Sequence, residues 1–196
     1  MARRHADIVA LLGEVGLTDL SKQRILELGC GSGGVVNEFL TLGAAPANLV
    51  GVDLLYDRLR VAKSLLPDGL WVTANGQHLP FPAGSFDLEL QFTAFSSILD
   101  PATRQDMASE MLRLLKPGGG ILWYDFIWNP LNPQTEGLPL AQVKKLFPGT
   151  LLTPRRVTLV PPLARLLLPR FQPLANSLTR LKILNSHLLI WIKKPS

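Results

Sequence analysis

The sequence has very little cysteine and no long hydrophobic run. Cys30 is the single cysteine among 196 residues, so no disulfide can form within the chain. No group of Cys and His residues has metal-ligand spacing, and we therefore expect no metal site. A reducing compartment fits this composition, and the cytoplasm is the default expectation. Because no run of about 18 apolar residues occurs, the sequence predicts no transmembrane segment.

Acidic residues are absent from the C-terminal part of the chain. All fifteen Asp and Glu lie in residues 1–136 together with ten Lys and Arg, whereas residues 137–196 carry the other ten basic residues. Basic side chains supply most non-specific affinity for nucleic-acid phosphates. Here, however, they alternate with Leu and Pro, and no RNA-binding module is recognisable. Nucleic acid is therefore not the expected partner, and the oligomeric state stays open.

The N-terminus is basic and then apolar, like the start of a signal peptide. Asp7 and Glu14 interrupt the apolar stretch, and no small-residue cleavage site follows. The pattern predicts a helix rather than a targeting segment.

Apolar runs alternate with helical patterns along the rest of the chain, which is typical of a parallel sheet covered by helices. The length favours one domain, 1–196. Asp100 and Pro101 predict a helix start, and Pro117 to Gly120 predict a sharp helix end. The predicted strands are 24–28, 48–54, 70–74, 86–92, 121–127 and 188–192, with an extended stretch at 151–160. The other predicted helices are 35–42, 56–66 and 140–147.

A glycine-rich loop, ELGCGSGG at 27–34, lies between a predicted strand and a predicted helix. Glycine is needed there for a tight turn and for close approach of the backbone to a ligand. Asp53 ends the next strand, where a carboxylate can accept hydrogen bonds from the ribose hydroxyls of an adenosine. Dinucleotides and S-adenosylmethionine share both features, so these residues alone leave the cofactor open.

Further motifs carry a resemblance to a known family. Glu27 precedes the first glycine, ANGQHLPFPAGSFDL follows at 74–88, and LLKPGG follows at 114–119. In these features the chain resembles the class I S-adenosylmethionine-dependent methyltransferases, especially the small-molecule group that contains quinone and sterol C-methyltransferases. The resemblance covers about residues 20–127. It implies an α/β fold with a Rossmann-like, seven-stranded, mostly parallel sheet, helices on both faces and an antiparallel last strand.

The resemblance also implies roles for individual residues around S-adenosylmethionine. Glu27 and the backbone of the loop would surround its methionine part, Asp53 the ribose, and Leu54 one face of the adenine. Leu54 and Phe92 are equally open to interpretation as core residues. Asn75 stands where the family usually has Asp, and it would lie with Gly76 at the adenine edge. The expected cofactor contacts are Glu27, Gly29, Cys30, Gly31, Gly33, Asp53, Leu54, Asn75, Gly76, Phe92 and Thr93, the last two facing the sulfonium.

A sulfonium is already an activated methyl donor, so the protein mainly has to align an acceptor and exclude water. Tyr124 and Asp125, at the end of the fifth strand, are the candidate catalytic residues that would orient or deprotonate it; a packing role is as plausible. His187 is interpreted as structural and His78 as a surface turn residue. The chain lacks the Asn/Asp-Pro-Pro-aromatic motif of amino methyltransferases, which favours a small, apolar or anionic acceptor.

Residues 161–182 combine many leucines with Arg165, Arg170, Arg180 and Lys182. The segment is interpreted as a cover over the acceptor, a peripheral membrane contact, or plain scaffold.

We expect residues 1–127 to form a cofactor half and 128–196 an acceptor half. Two other functions stay open, namely a nicotinamide-dependent oxidoreductase and a non-catalytic S-adenosylmethionine-binding partner protein.

Overall fold

The computed structural model describes residues 2–129, 132–159 and 185–196. They form a seven-stranded sheet in the order β3-β2-β1-β4-β5-β7-β6. The strands are β1 (Ile25–Leu28), β2 (Leu49–Asp53), β3 (Leu70–Thr73), β4 (Phe86–Phe92), β5 (Leu115–Phe126), β6 (Leu151–Leu159) and β7 (Asn185–Lys193). The helices are α1 (Ala2–Glu14), α2 (Gly34–Thr41), α3 (Tyr56–Leu65), α4 (Pro101–Leu114) and α5 (Leu140–Leu146), with single 3₁₀ turns at Pro46–Asn48 and Phe95–Ser97.

Strands β1 to β5 are parallel, and β7 is antiparallel to both of its neighbours, β5 and β6. This confirms the predicted Rossmann-like, mostly parallel sheet with an antiparallel last strand. Because β6 runs in the direction of β5, strands β1 to β6 all end at one edge of the sheet, here called the carboxyl edge. Leu159 pairs with Asn185 at that edge, close to the pair of Phe126 and His187. The predicted segment 161–182, with Arg165 and Arg170, lies outside the described residues.

Two apolar clusters cover the two faces of the sheet. Helices α1, α2 and α3 pack on one face, and α4 and α5 pack on the other. Successive strand residues alternate between the faces: Leu122 and Tyr124 of β5 join the cluster of α1, α2 and α3, whereas Ile121 and Trp123 join that of α4 and α5. The predicted helices on both faces are thereby confirmed.

Helix α4 begins as its sequence predicts. The Asp100 carboxylate accepts a hydrogen bond from Thr103 N (2.8 Å), and Pro101 occupies the first helical position. A proline fits there because its missing N–H would have no partner within the helix.

The prediction for Pro117 to Gly120 is only partly right. Helix α4 does end just before them, at Leu114, but β5 already begins at Leu115. Leu115 pairs with Phe86 and Gly120 pairs with Leu88, so the residues between them bulge out of the ladder. A Cβ atom at Gly120 would overlap the Trp191 ring. The glycines therefore also serve close packing between strands, which the sequence pattern did not reveal.

The N-terminal residues form helix α1, as predicted, and its side chains Ile8 and Leu11 are completely buried. Its C-terminal end is tied to β6 by an ion pair of Glu14 with Arg155. Within the described residues, no helix has the length and apolar character needed to cross a membrane.

Candidate functional site

The glycine loop after β1 turns sharply because three of its residues have left-handed backbone angles. Gly29, Gly31 and Gly33 have φ values of 72°, 54° and 79°. Val52 O of β2 accepts hydrogen bonds from Gly29 N (2.8 Å) and Cys30 N (3.0 Å), which hold the loop against the neighbouring strand. Burial raises the pKa of the Cys30 thiol. Cys30 therefore contributes backbone groups and packing to the loop rather than a thiolate.

The three glycines are needed for different reasons. A Cβ atom at Gly29 would lie 2.6 Å from Ala94 Cβ, and one at Gly33 would lie 2.8 Å from the Trp71 ring. A Cβ atom at Gly31 would meet no described atom within 4 Å. Space in front of Gly31 is therefore open, and its backbone is accessible to a ligand.

Asp53 lies beside this open space in a fixed orientation. Its Oδ2 accepts a hydrogen bond from Gly31 N (2.8 Å), and its Oδ1 accepts one from Leu55 N (2.9 Å). Each oxygen keeps a further lone pair for a hydroxyl group. The next residue, Leu54, is 68% exposed, so its interpretation as a core residue is wrong and its apolar face is free for a flat ligand.

Asn75 and Gly76 follow β3 at the same edge of the sheet. Asn75 is exposed, its Oδ1 accepts from Gln77 N (3.0 Å), and its Nδ2 donates to Gln77 Oε1 (3.2 Å). A Cβ atom at Gly76 would lie 2.8 Å from Met107 Cε. A side chain at Gly76 would thus displace the flexible end of Met107, whereas Asn75 sits in a turn with Gln77, which also donates a hydrogen bond to Asp106 of α4. His78 is exposed in this turn, as predicted.

Glu27 lines a cavity of about 570 Å³. The carboxylate is buried, and its Oε2 accepts a hydrogen bond from Val36 N (3.0 Å). Burial raises the pKa of Glu27 well above its usual value, while the Val36 N–H and the charge of Arg4 act in the opposite direction. The residues lining the cavity are Arg4, His5, Glu27, Gly29, Cys30, Gly34, Val35, Glu38, Thr41 and Phe92.

Helix α1 contributes Arg4 and His5 to this cavity, and sequence reasoning missed both. Arg4 Nη2 pairs with Glu38 of α2, and His5 Nδ1 lies 3.2 Å from Glu38 Oε1. The Arg4 guanidinium also lies over the rings of Phe92 (5.5 Å) and Tyr124 (5.7 Å). The only sequence signal was the basic start of the chain, because the contact joins segments that are far apart in sequence.

A stack of rings continues from Phe92 along the carboxyl edge. The Tyr124 ring stacks on Phe92 (5.5 Å between centroids) and on His187 (4.7 Å). Burial, with the charge of Arg4 as a smaller cause, lowers the pKa of His187 to about 4, so its imidazole is neutral near pH 7. Thr93 has a left-handed φ of 59° and donates its N–H to Tyr124 O (2.8 Å). Such an angle is unusual for a residue other than glycine and is found preferentially at functional sites.

The side chains of Asp125 and Tyr124 point to opposite faces of the sheet, although the two residues are adjacent in sequence. Its carboxylate is completely buried, Oδ2 accepting from Gln91 Nε2 (2.7 Å) and Ser96 N (3.1 Å) and Oδ1 from Phe126 N (2.8 Å). Burial raises the pKa of Asp125 while these hydrogen bonds oppose the rise. The cavity lining includes neither Asp125 nor Tyr124. The structure thus gathers the predicted cofactor residues at one edge but divides the predicted catalytic pair.

Part of the chain is similar to a known protein family. Residues 25–119 match the family described as methyltransferase domain. They span the glycine loop, Asp53, Asn75 and the first part of β5.

Two curated relatives and one solved structure illustrate the similarity. The chain is 33% identical over 135 residues to phthiotriol/phenolphthiotriol dimycocerosates methyltransferase 1 of Mycobacterium ulcerans, covering 65% of this chain and 48% of that protein. It is 35% identical over 121 residues to a ubiquinone/menaquinone biosynthesis C-methyltransferase of Vibrio parahaemolyticus, covering 58% and 45%. The chain thus spans about half the length of these relatives. An S-adenosylmethionine-dependent methyltransferase from Mesorhizobium loti has the same fold, with a TM-score of 0.67, 18% identity and coverage of 94% and 96%.

Proposed function

We propose that this chain, in which residues 25–119 match a methyltransferase domain, is a class I S-adenosylmethionine-dependent enzyme and transfers the cofactor's methyl group to a small-molecule acceptor. S-adenosylmethionine is the cofactor of such domains. One observation carries the proposal, namely the Asp53 carboxylate held by Gly31 N beside open space in front of a left-handed glycine. A fixed carboxylate next to exposed backbone suits an adenosine ribose and the group attached to it.

The cofactor would follow the carboxyl edge from β3 to β4. Asn75 and Gly76 would lie at the adenine edge, the exposed Leu54 would cover one adenine face, and Asp53 would accept from the ribose hydroxyls. The methionine part would pass Glu27 and the loop backbone of Gly29, Cys30, Gly31 and Gly33. Phe92 and Thr93 would face the sulfonium.

When bound, the sulfonium supplies a methyl group that needs no further activation. The chain's own residues would then align the acceptor and keep water out. Tyr124 stands next to Phe92 and is the residue we propose to contact the acceptor. We propose that Asp125 acts indirectly, because its hydrogen bonds to Gln91 and Ser96 N hold the ends of β4 and β5 in place.

The acceptor half, residues 128–196, would supply the remainder of the acceptor pocket within a single domain. The described flanks of segment 161–182, Leu159 and Asn185, pair at the carboxyl edge. We propose that this segment covers an apolar or anionic acceptor beside Tyr124. Peripheral membrane contact and scaffold remain the alternatives, and the cytoplasm remains the proposed location.

Asp53→Ala tests the cofactor side of the proposal. The change removes the acceptor of two ribose hydroxyls, so we expect S-adenosylhomocysteine to bind about 10- to 100-fold more weakly, corresponding to about 1.5–3 kcal/mol. Asp57→Ala is the matched control, since Asp57 is an exposed acid in the first turn of α3. Unchanged affinity of Asp53→Ala in calorimetry would remove Asp53 from the site.

The wild-type protein should also be titrated with NAD and incubated with methyl-labelled S-adenosylmethionine and a small-molecule extract. We expect S-adenosylhomocysteine to bind, NAD not to bind, and label to appear in the extract. Preference for NAD would favour a nicotinamide-dependent oxidoreductase. Binding of S-adenosylhomocysteine without labelling by any extract would favour a non-catalytic partner protein.

A further inference from the structure

Arg4 has an unusual combination of contacts for a residue of an N-terminal helix. It lines the cavity above Glu27, and its Nη2 is engaged by Glu38. Its Nε is buried but has no hydrogen-bond partner among the described residues. A buried donor without a partner costs free energy unless a ligand supplies an acceptor. Arginine binds carboxylates through two parallel N–H groups, so the unengaged Nε marks a place for such a group.

The polar groups around the cavity complement an amino acid. Glu27 supplies buried carboxyl oxygens, which can accept hydrogen bonds from an ammonium group. Arg4 is the only residue of the cavity lining, as the structure describes it, that carries a permanent positive charge, which suits a carboxylate. Glu38, the other acid, is occupied by Arg4 and His5.

We infer that Arg4 binds the carboxylate at the amino-acid end of the cofactor and thereby fastens helix α1 over the site. The inference rests on the proposed function, because it names the group held at the methionine end of the same cofactor. Binding would give Nε its missing acceptor. Binding would also connect the N-terminal end of α1 to the cofactor. The C-terminal end of α1 is already joined to β6 by the ion pair of Glu14 with Arg155.

The test compares two ligands that differ at the amino-acid end. S-adenosylhomocysteine carries the ammonium and the carboxylate, whereas 5′-methylthioadenosine keeps the nucleoside and the sulfur but lacks both. Arg4→Gln should weaken S-adenosylhomocysteine about 10- to 100-fold in calorimetry and change 5′-methylthioadenosine less than about twofold. Arg4→Lys should weaken S-adenosylhomocysteine by less, because it keeps the charge but loses the paired N–H groups. Arg3→Gln, an equal charge change at the exposed neighbouring residue, should leave both affinities unchanged.

Hydrogen exchange supplies a second readout that does not depend on affinity. S-adenosylhomocysteine should slow amide exchange in α1 of the wild-type protein, whereas 5′-methylthioadenosine, or S-adenosylhomocysteine at saturation on Arg4→Gln, should not. The inference is overturned if Arg4→Gln weakens both ligands equally, which indicates a structural role. It is also overturned if Arg4→Gln leaves S-adenosylhomocysteine affinity intact while Asp53→Ala reduces it, in which case the proposed function stands. If neither ligand binds the wild-type protein, both fall together.

Discussion

Gly31 differs from its neighbours in the glycine loop because a side chain there would point into open space. A Cβ atom at Gly29 would instead collide with Ala94. Both positions need a left-handed angle, which costs a residue with a side chain about 1–2 kcal/mol. We therefore expect Gly31→Ala to reduce S-adenosylhomocysteine affinity at least about tenfold by calorimetry with only this moderate loss of stability. Gly29→Ala should unfold at a lower temperature than Gly31→Ala, because its new methyl group would also collide with Ala94. Equal ligand affinity in Gly31→Ala and the wild type would show that the loop is only a turn.

Asn75 is the residue at which the chain departs from the methyltransferase pattern. Asp at this position keeps the oxygen that accepts from Gln77 N, loses the donor to Gln77 Oε1, and gains a second acceptor for an adenine amino group. Asn75→Asp should therefore maintain or tighten S-adenosylhomocysteine binding in calorimetry. A strong loss would mean that this chain uses the amide N–H groups instead, and Gln77→Ala would report how much the turn itself matters.

The residues that sequence reasoning found are those whose role depends on local backbone geometry. Gly29, Gly31 and Asp53 sit at fixed distances from strand ends, so their spacing carries the information. Arg4 enters the site because α1 packs there, and no local pattern encodes that packing. Tyr124 and Asp125 were both predicted from their position at the end of the fifth strand, although neighbouring strand residues face opposite sides of a sheet.

At the level of elements, strand β4 contains a buried acid with no evident partner. Glu89 is completely buried in the middle of the strand, and neither carboxylate oxygen has a hydrogen bond among the described residues. Burial, reinforced by the charge of Glu110, raises the pKa of Glu89 well above its usual value. In the folded protein Glu89 thus keeps its proton at pH values where the unfolded chain has already lost it.

Glu89→Gln should therefore remove a pH dependence of stability. Glu89 opposes folding least below its unfolded pKa of about 4.5, and its cost grows as the pH rises from there towards the folded pKa. Urea unfolding should show similar stability of wild type and Glu89→Gln near pH 4.5 and a more stable variant at pH 8. Asp68→Asn, at an exposed acid, should show no such difference. A variant less stable than wild type at pH 8 would contradict this assignment.

The elements themselves were largely predictable, since the hydrophobic periods and the Asp100–Pro101 start mark them locally. The error at Pro117 to Gly120 has a definite cause. A proline followed by three glycines is a strong helix-end signal, but only the packed sheet reveals that Trp191 and the backbone of Asp87 occupy the space next to these glycines. A run of glycines is therefore found both in turns and where neighbouring strands pack closely, and the sequence alone does not distinguish the two.

At the scale of the whole molecule, cofactor binding and acceptor binding should be separable. All described residues that we assign to the cofactor lie outside 160–184, and the flanks of that segment are adjacent in the sheet. Replacing residues 161–182 with a short Gly-Ser linker should leave S-adenosylhomocysteine affinity within about threefold of wild type, because a short connection between paired flanks closes at little entropic cost. Methyl transfer to the acceptor should be lost. Retained transfer would make the segment scaffold, and lost cofactor binding would place it in the cofactor site.

The pairing of Leu159 with Asn185 also bears on how such a protein can diversify. Leu159 and Asn185 are paired neighbours in the sheet, so a change in the number of residues between them during evolution leaves the register of β6 and β7 intact. Connections between the strands of a rigid scaffold tolerate such change better than the strands themselves. If residues 161–182 bind the acceptor as we propose, selection for a new acceptor can act on one contiguous stretch of the gene while the cofactor loop, nearly 130 residues upstream of it, is inherited unchanged.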